Sequence, residues 1–246
     1  MEKKGFVTLS AIPVSLKLTY TMTLLVLSVG YLFALVQTHD AHAMNDGKPS
    51  MSVTDLVIAY SGGHAETRLE AAIKGPMFNM LHVEDRADII NWVRDGATVG
   101  LFEKSVRPII TEHCIACHGG DDPHIPNLTS YENLRSMVHL DTGMDFKTLV
   151  RISHIHLFGL TFIFYLSSTI FCRAYWKNVW IKRTIIVLPF AAILTDIFSW
   201  YLTKINESFA VVVFASGGVL AACFMTQSST SIYQMWFSRS GREVTV

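Results

Sequence analysis

The chain has 246 residues, a formal net charge of zero, 50% hydrophobic and 16% charged residues, and a positive mean hydropathy. That composition belongs to a membrane protein, and no basic, aromatic-interleaved patch is present to engage nucleic acid. Four cysteines are too few for a disulfide framework.

The first element in chain order is an apolar stretch, Leu18–Val36, with Lys3, Lys4 and Lys17 before it. "AHA" at 41–43 resembles a signal-peptide cleavage site. The apolar core of about 19 residues exceeds the ~7–15 of a signal peptide, however, and favours an uncleaved anchor. Residues 37–150 follow as an acidic segment with 16 acidic and 9 basic side chains; the remainder holds 4 and 11. This pattern predicts three parts: a first span within 1–36, a water-facing domain at 37–150, and three further spans within 151–246.

Inside the acidic segment, "KGPMFNMLHVEDRADIINWVRDGA" (74–97) reads as a methionine-containing loop entering a helix. Glu84 and Asp85 suit the first turn, where acids favour the helix dipole. Ile89, Ile90, Trp92 and Val93 form the apolar side, and Gly96 is the stop. In "LFEKSVRPIITEHCIACH" (101–118), Phe102, Val106, Ile109 and Ile110 share one helical face, and Pro108 marks a kink or a late start. Ser130 is the expected N-cap of a short helix in "SYENLRSMVH", with Asn133 three residues on.

Cys114, Cys117 and His118 spell C-x-x-C-H, the attachment signature of a c-type haem: two thioether cysteines and one axial histidine. A zinc site would want a second ligand pair, and the acidic segment holds no other cysteine.

From residue 66 to about 140 the sequence resembles the single-haem c-type cytochromes, most specifically around Cys114–His118. The resemblance implies a covalent haem c carried outside the cytoplasm. It also makes "IPNL" (125–128) the family's proline loop, with the Pro126 carbonyl accepting the Nδ1 proton of His118. The order departs from the family, because the methionine loop and its helix precede the haem motif here. The expectation is a circularly permuted domain with Met77 or Met80 as sixth ligand, Met77 first because Gly75-Pro76 holds its loop tight. Met137, Met144, His64, His82, His139 or an open position remain as alternatives.

Three more apolar stretches, Ile152–Cys172, Thr184–Thr203 and Phe209–Phe237, approach the ~20 residues of a membrane-crossing helix. Cys172 and Cys223 lie in them and are expected to be buried thiols. Lys3, Lys4, Lys17, Arg173, Lys177, Lys182, Arg183, Arg239 and Arg242 would share one side, against Arg151 and Lys204 on the other. The positive-inside rule then puts both termini in the cytoplasm and 37–150 in the periplasm of a bacterial inner membrane. Trp176, Trp180, Trp200, Tyr201, Tyr233 and Trp236 sit near span ends, where interfacial aromatics belong. His154 and His156 are two residues apart, about 200° around a helix, so both cannot face one cofactor. Asp196 is an intramembrane carboxylate, a default functional candidate, and antiparallel neighbours would bring it near His156. Small residues in "FASGGVLAA" (214–222) point to close helix packing, including against another subunit.

The fold expected is all-α: a cytochrome c-like haem domain outside the membrane plus four transmembrane helices. The function expected is electron transfer to or from a basic-surfaced redox partner within a larger membrane complex, with no enzyme activity assigned to the chain alone. The alternative is a quinol-oxidising subunit using His154, His156 and Asp196. A haem-based redox or gas sensor ranks third.

Overall fold

The computed structural model describes residues 7–43, 45–63, 66–122 and 125–238. His64, Lys3, Lys4, Arg239 and Arg242, which entered the ligand and topology arguments, lie outside these residues. Along the chain run α1 (Val14–His42), α2 (Val53–Ser61), α3 (Arg68–Lys74), α4 (Val83–Arg94) and α5 (Val99–Leu101). A π-turn at Phe102–Val106 leads into α6 (Arg107–His113), α7 (Ile115–His118) and α8 (Tyr131–Arg135), and the long helices α9 (Phe146–Phe171), α10 (Val179–Thr203) and α11 (Phe209–Trp236) close the order. The fold is all-helical; among the described residues the only β-pairing is an isolated bridge between Thr67 and Leu140.

Two compact units result, one of residues 1–39 with 146–246, the other of residues 40–145. Their limits fall a few residues inside the 37–150 segment because α1 and α9 continue as helix beyond their apolar stretches.

In the first unit, α1, α9, α10 and α11 are each long and apolar enough to cross a membrane. Polar side chains tie α9, α10 and α11 together inside. Gln227 is fully buried; its Oε1 accepts from Ser167 at 2.6 Å, and its Nε2 donates to the Ile185 carbonyl at 2.9 Å. Backbone carbonyls left without water are costly in hydrocarbon, so such bonds hold helices in register. Ser153 and Tyr201 join α9 to α10 at 2.9 Å. Gly217 and Gly218 have open space where a side chain would stand. Those two glycines are therefore not where this chain's own helices approach most closely. Cys223 is buried as expected, whereas Cys172 is exposed. The correction has a simple cause: α9 ends at Phe171, and Cys172 falls past the packed helix.

In the second unit, α4 and the 99–113 helical segment form a hairpin. Trp92 (α4) and Phe102 (π-turn) are 2% and 1% exposed, with ring centroids 5.9 Å apart. Gly96 and Ala97 turn the chain at φ +87° and +50°. The exit is clamped by the Trp92 indole N–H donating to the Thr98 carbonyl at 2.9 Å and the Tyr131 hydroxyl donating to the Ala97 carbonyl at 2.9 Å. Phe102, Val106, Ile109 and Ile110 are all buried in one core with Ile89, Trp92 and Val93, and Ile90 is half-buried against it. Pro108 lies at the start of α6, immediately after the π-turn. Its missing N–H and its ring against the preceding turn explain why the ladder widens there. Ser130 caps α8, accepting from the Asn133 N–H at 3.2 Å.

Candidate haem site and membrane cluster

α6 delivers the chain to Cys114, and one further turn brings Cys117 and His118 around: the His118 N–H donates to the Cys114 carbonyl at 2.8 Å. Cys114 is half-buried against the core that holds α4 and α6, and burial pushes its thiol pKa up. Cys117 is exposed, and both are free thiols.

The loop after α7 folds back on itself. The Leu128 N–H donates to the His118 carbonyl at 3.0 Å, and Asn127 Oδ1 accepts from the Thr129 N–H at 2.8 Å. This closure leaves His118 Nδ1 2.7 Å from the Pro126 carbonyl oxygen. A carbonyl can only accept, so the proton sits on Nδ1 and the Nε2 lone pair is free for a metal.

The remaining donor candidates separate by burial. Met77 precedes and Met80 ends a short 3-10 turn, Phe78–Met80, and they are 36% and 64% exposed, with Phe78 42% exposed between them. Met137 packs against the core. Met144 is half-buried, its N–H donating to the Ala59 carbonyl at 2.9 Å. His139 is exposed. His82 begins α4 and its ring stands 5.9 Å from that of His113, which in turn has Asp85 at 3.6 Å.

Haem fits the residues present in three respects. The histidine is held in the ligating tautomer, two free thiols precede it at thioether spacing, and apolar Met77, Phe78 and Met80 stand uncovered on one turn. Arg86 packs on this turn, its guanidinium 3.7 Å over the Phe78 ring and its Nη2 donating to the Leu81 carbonyl at 3.4 Å. No spacing rule pairs a loop with the helix after it, so this contact of Arg86 has no signal in the sequence. Among the described residues no group of three or more His, Cys, Asp or Glu is placed to hold a bare metal ion.

In the membrane unit, Asp196 is buried at 8% exposure, one helical turn before Trp200 on α10. His156 is exposed, bonded through Nδ1 to its own helix at the Ile152 carbonyl, 3.0 Å away, and stands edge-on to Trp200 at 5.2 Å. His154 is exposed and meets Phe158. Trp200 thus follows Asp196 by one helical turn and meets the His156 ring.

Four membrane-length helices make this chain a multi-pass membrane protein. A family model described as a transmembrane helical domain matches residues 126–242, a stretch that contains α9, α10 and α11. No curated protein matches the chain, and no solved structure does.

Proposed function

We propose that this protein is a membrane-bound c-type cytochrome, with one covalent haem c on Cys114, Cys117 and His118 and a permuted order of the cytochrome helices. The observation that carries the reading is the 2.7 Å contact between His118 Nδ1 and the Pro126 carbonyl, which leaves Nε2 as the axial donor. Bound there, haem would supply one-electron transfer. The chain's own residues do the rest. Cys114 and Cys117 anchor the group covalently, Pro126 orients the histidine, and Met77 or Met80 offers the sixth ligand from an exposed turn. The acidic surface steers basic-surfaced redox partners, at rates that fall with salt. Four spans exceed what a tether needs, in keeping with a subunit of a larger membrane complex.

The haem unit faces the periplasm of a bacterial inner membrane in this reading, with both termini cytoplasmic. The described basic residues agree with it: Lys17, Arg173, Lys177, Lys182 and Arg183 border one side, Arg151 and Lys204 the other.

The test is expression in cells that mature c-type cytochromes, followed by a pyridine haemochrome spectrum of the denatured protein. Haem retained after denaturation, and lost from the Cys114→Ala/Cys117→Ala double variant, supports the proposal. A haem-free wild-type protein under those conditions removes it.

A second reading, quinol oxidation, draws on the buried Asp196, one helical turn before Trp200, with His154 and His156 near one end of α9. Quinol-driven haem reduction that is unchanged in Asp196→Asn would end the role of that carboxylate.

A further inference from the structure

One end of the membrane unit gathers cations without acids. The segment before α1, the α9–α10 loop and the end of α11 meet there. The Leu9 N–H donates to the Arg173 carbonyl at 3.3 Å. Gln234 of α11 grips Tyr175 at both backbone atoms, accepting from its N–H at 2.7 Å and donating to its carbonyl at 2.8 Å. Lys17, Arg173, Lys177, Lys182 and Arg183 belong to this end. The acidic side chains among the described residues of the unit are Asp196, in the far half of α10, and Glu207, in the opposite loop.

Lys182 and Lys17 turn inward. Lys182 is 5% exposed, and its Nζ donates to the Cys172 carbonyl at 2.7 Å, an acceptor that the end of α9 leaves orphaned. Lys17 Nζ donates to the Ser10 carbonyl at 2.8 Å. The other three turn outward: Arg173 is half-buried, and Lys177 and Arg183 are exposed. Among the described residues every ion pair lies elsewhere. α10 also has no acid in its first turn, so the positive end of its dipole adds to charges of the same sign. Like charges held together repel, and an anion from outside relieves them. Leu9, Lys182 and Gln234 fix the loop backbone at Arg173, Cys172 and Tyr175, so the cations are placed before anything binds, which lowers the ordering cost of binding.

Depth selects the anion. Trp180 is 75% exposed, with the Arg183 guanidinium 5.4 Å over its ring. Trp236 is 43% exposed, with Lys17 Nζ 5.8 Å over its ring. Exposed tryptophans at the ends of spans sit at the headgroup level, and the cations beside them stand at the height of lipid phosphates. A soluble acidic protein would have to displace headgroups to reach that level.

We propose that the α9–α10 loop is a headgroup site for an anionic phospholipid, whose phosphate pairs with Arg173, Lys177 and Arg183. The site stands on the membrane-spanning fold alone and is independent of the haem reading.

The experiment is native mass spectrometry of the full chain in detergent micelles, titrated with dioleoylphosphatidylglycerol, dioleoylphosphatidylcholine or inorganic phosphate. The wild-type protein is expected to bind phosphatidylglycerol at least about tenfold more tightly than phosphatidylcholine. Arg173→Gln, Lys177→Gln and Arg183→Gln are each expected to weaken phosphatidylglycerol binding about fivefold, and the triple variant on the order of a hundredfold. Arg151→Gln, near the start of α9 at the other end, should bind as wild type. Thermal melts show which variants are folded, and the single substitutions decide the matter if the triple variant is not. Equal binding of the two lipids by the wild-type protein overturns the proposal and leaves the patch to an acidic protein. A loss in Arg151→Gln as large as in the three variants also overturns it, since net charge alone would then explain the preference. Inorganic phosphate that binds as tightly as phosphatidylglycerol replaces the lipid with a free anion.

Discussion

His118 Nδ1 donates to the carbonyl oxygen of Pro126 across 2.7 Å, and the Leu128 N–H returns to the His118 carbonyl at 3.0 Å, so the histidine is gripped at ring and backbone by one loop. A hydrogen bond of this kind raises the basicity of a ligating imidazole. Pro126→Gly keeps the carbonyl but frees the loop that aims it. The midpoint potential of the haem-loaded protein should then rise by about 20–60 mV, the one-electron equivalent of a weakened hydrogen bond. Redox titration decides it, and an unmoved potential would show that this contact does not tune the ligand.

Met77 and Met80 stand on one exposed turn, and only one thioether can complete a six-coordinate iron. The near-infrared thioether band of the oxidised protein should vanish in either Met77→Ala or Met80→Ala and persist in the other. The midpoint of the sensitive variant should fall by more than ~59 mV, a tenfold change in the one-electron equilibrium. Spectra indifferent to both substitutions would move the sixth ligand elsewhere.

Trp92 is 2% exposed, packs at a tilt against Phe102 and closes the hairpin through Thr98. Trp92→Ala removes its packing and its hydrogen bond together. A loss of about 3–5 kcal/mol is expected, read from denaturant unfolding by near-ultraviolet circular dichroism.

The two haem cysteines should differ before haem is attached. The thiolate is the reacting form, and burial pushes the Cys114 thiol up, so less of it is ionised at any given pH. Maleimide should label exposed Cys117 and Cys172 first, and Cys114 should accelerate as pH rises through the thiol range. The sign for stability follows. A raised thiol pKa means the folded state holds its proton longer than the unfolded state, so this contribution is present at lower pH and is lost as pH climbs past the unfolded value. Mass spectrometry of timed samples checks the labelling order; equal rates would contradict it.

Gly62 has φ +89°, and a Cβ there would run into the Asp141 backbone. Gly62→Ala should destabilise the acidic unit by at least about 1–3 kcal/mol through left-handed strain and the clash, whereas Gly100→Ala, where a Cβ meets open space, should be nearly neutral or slightly stabilising. Paired melts compare the two.

The four spans, the all-helical fold, the Ser130 cap and the apolar face of Phe102, Val106, Ile109 and Ile110 were legible from residue order alone. Each is a local property: hydropathy over a bilayer's thickness, a side chain reaching its neighbour's N–H, a 3.6-residue period. C-x-x-C-H was equally legible, since thioether spacing is a matter of one turn. What the tertiary structure decided lies between elements distant in sequence. It set Cys172 outside the packing and laid half-buried Met137 against the core while leaving Met77 and Met80 uncovered. It laid Arg86 over Phe78, it opened a groove between helices nearly two hundred residues apart, and it left the buried Ser228 and Ser231 hydroxyls of α11 without hydrogen-bond partners. Periodicity tells which face of a helix is apolar; only the meeting of two helices decides which polar atom on that face is left without a partner.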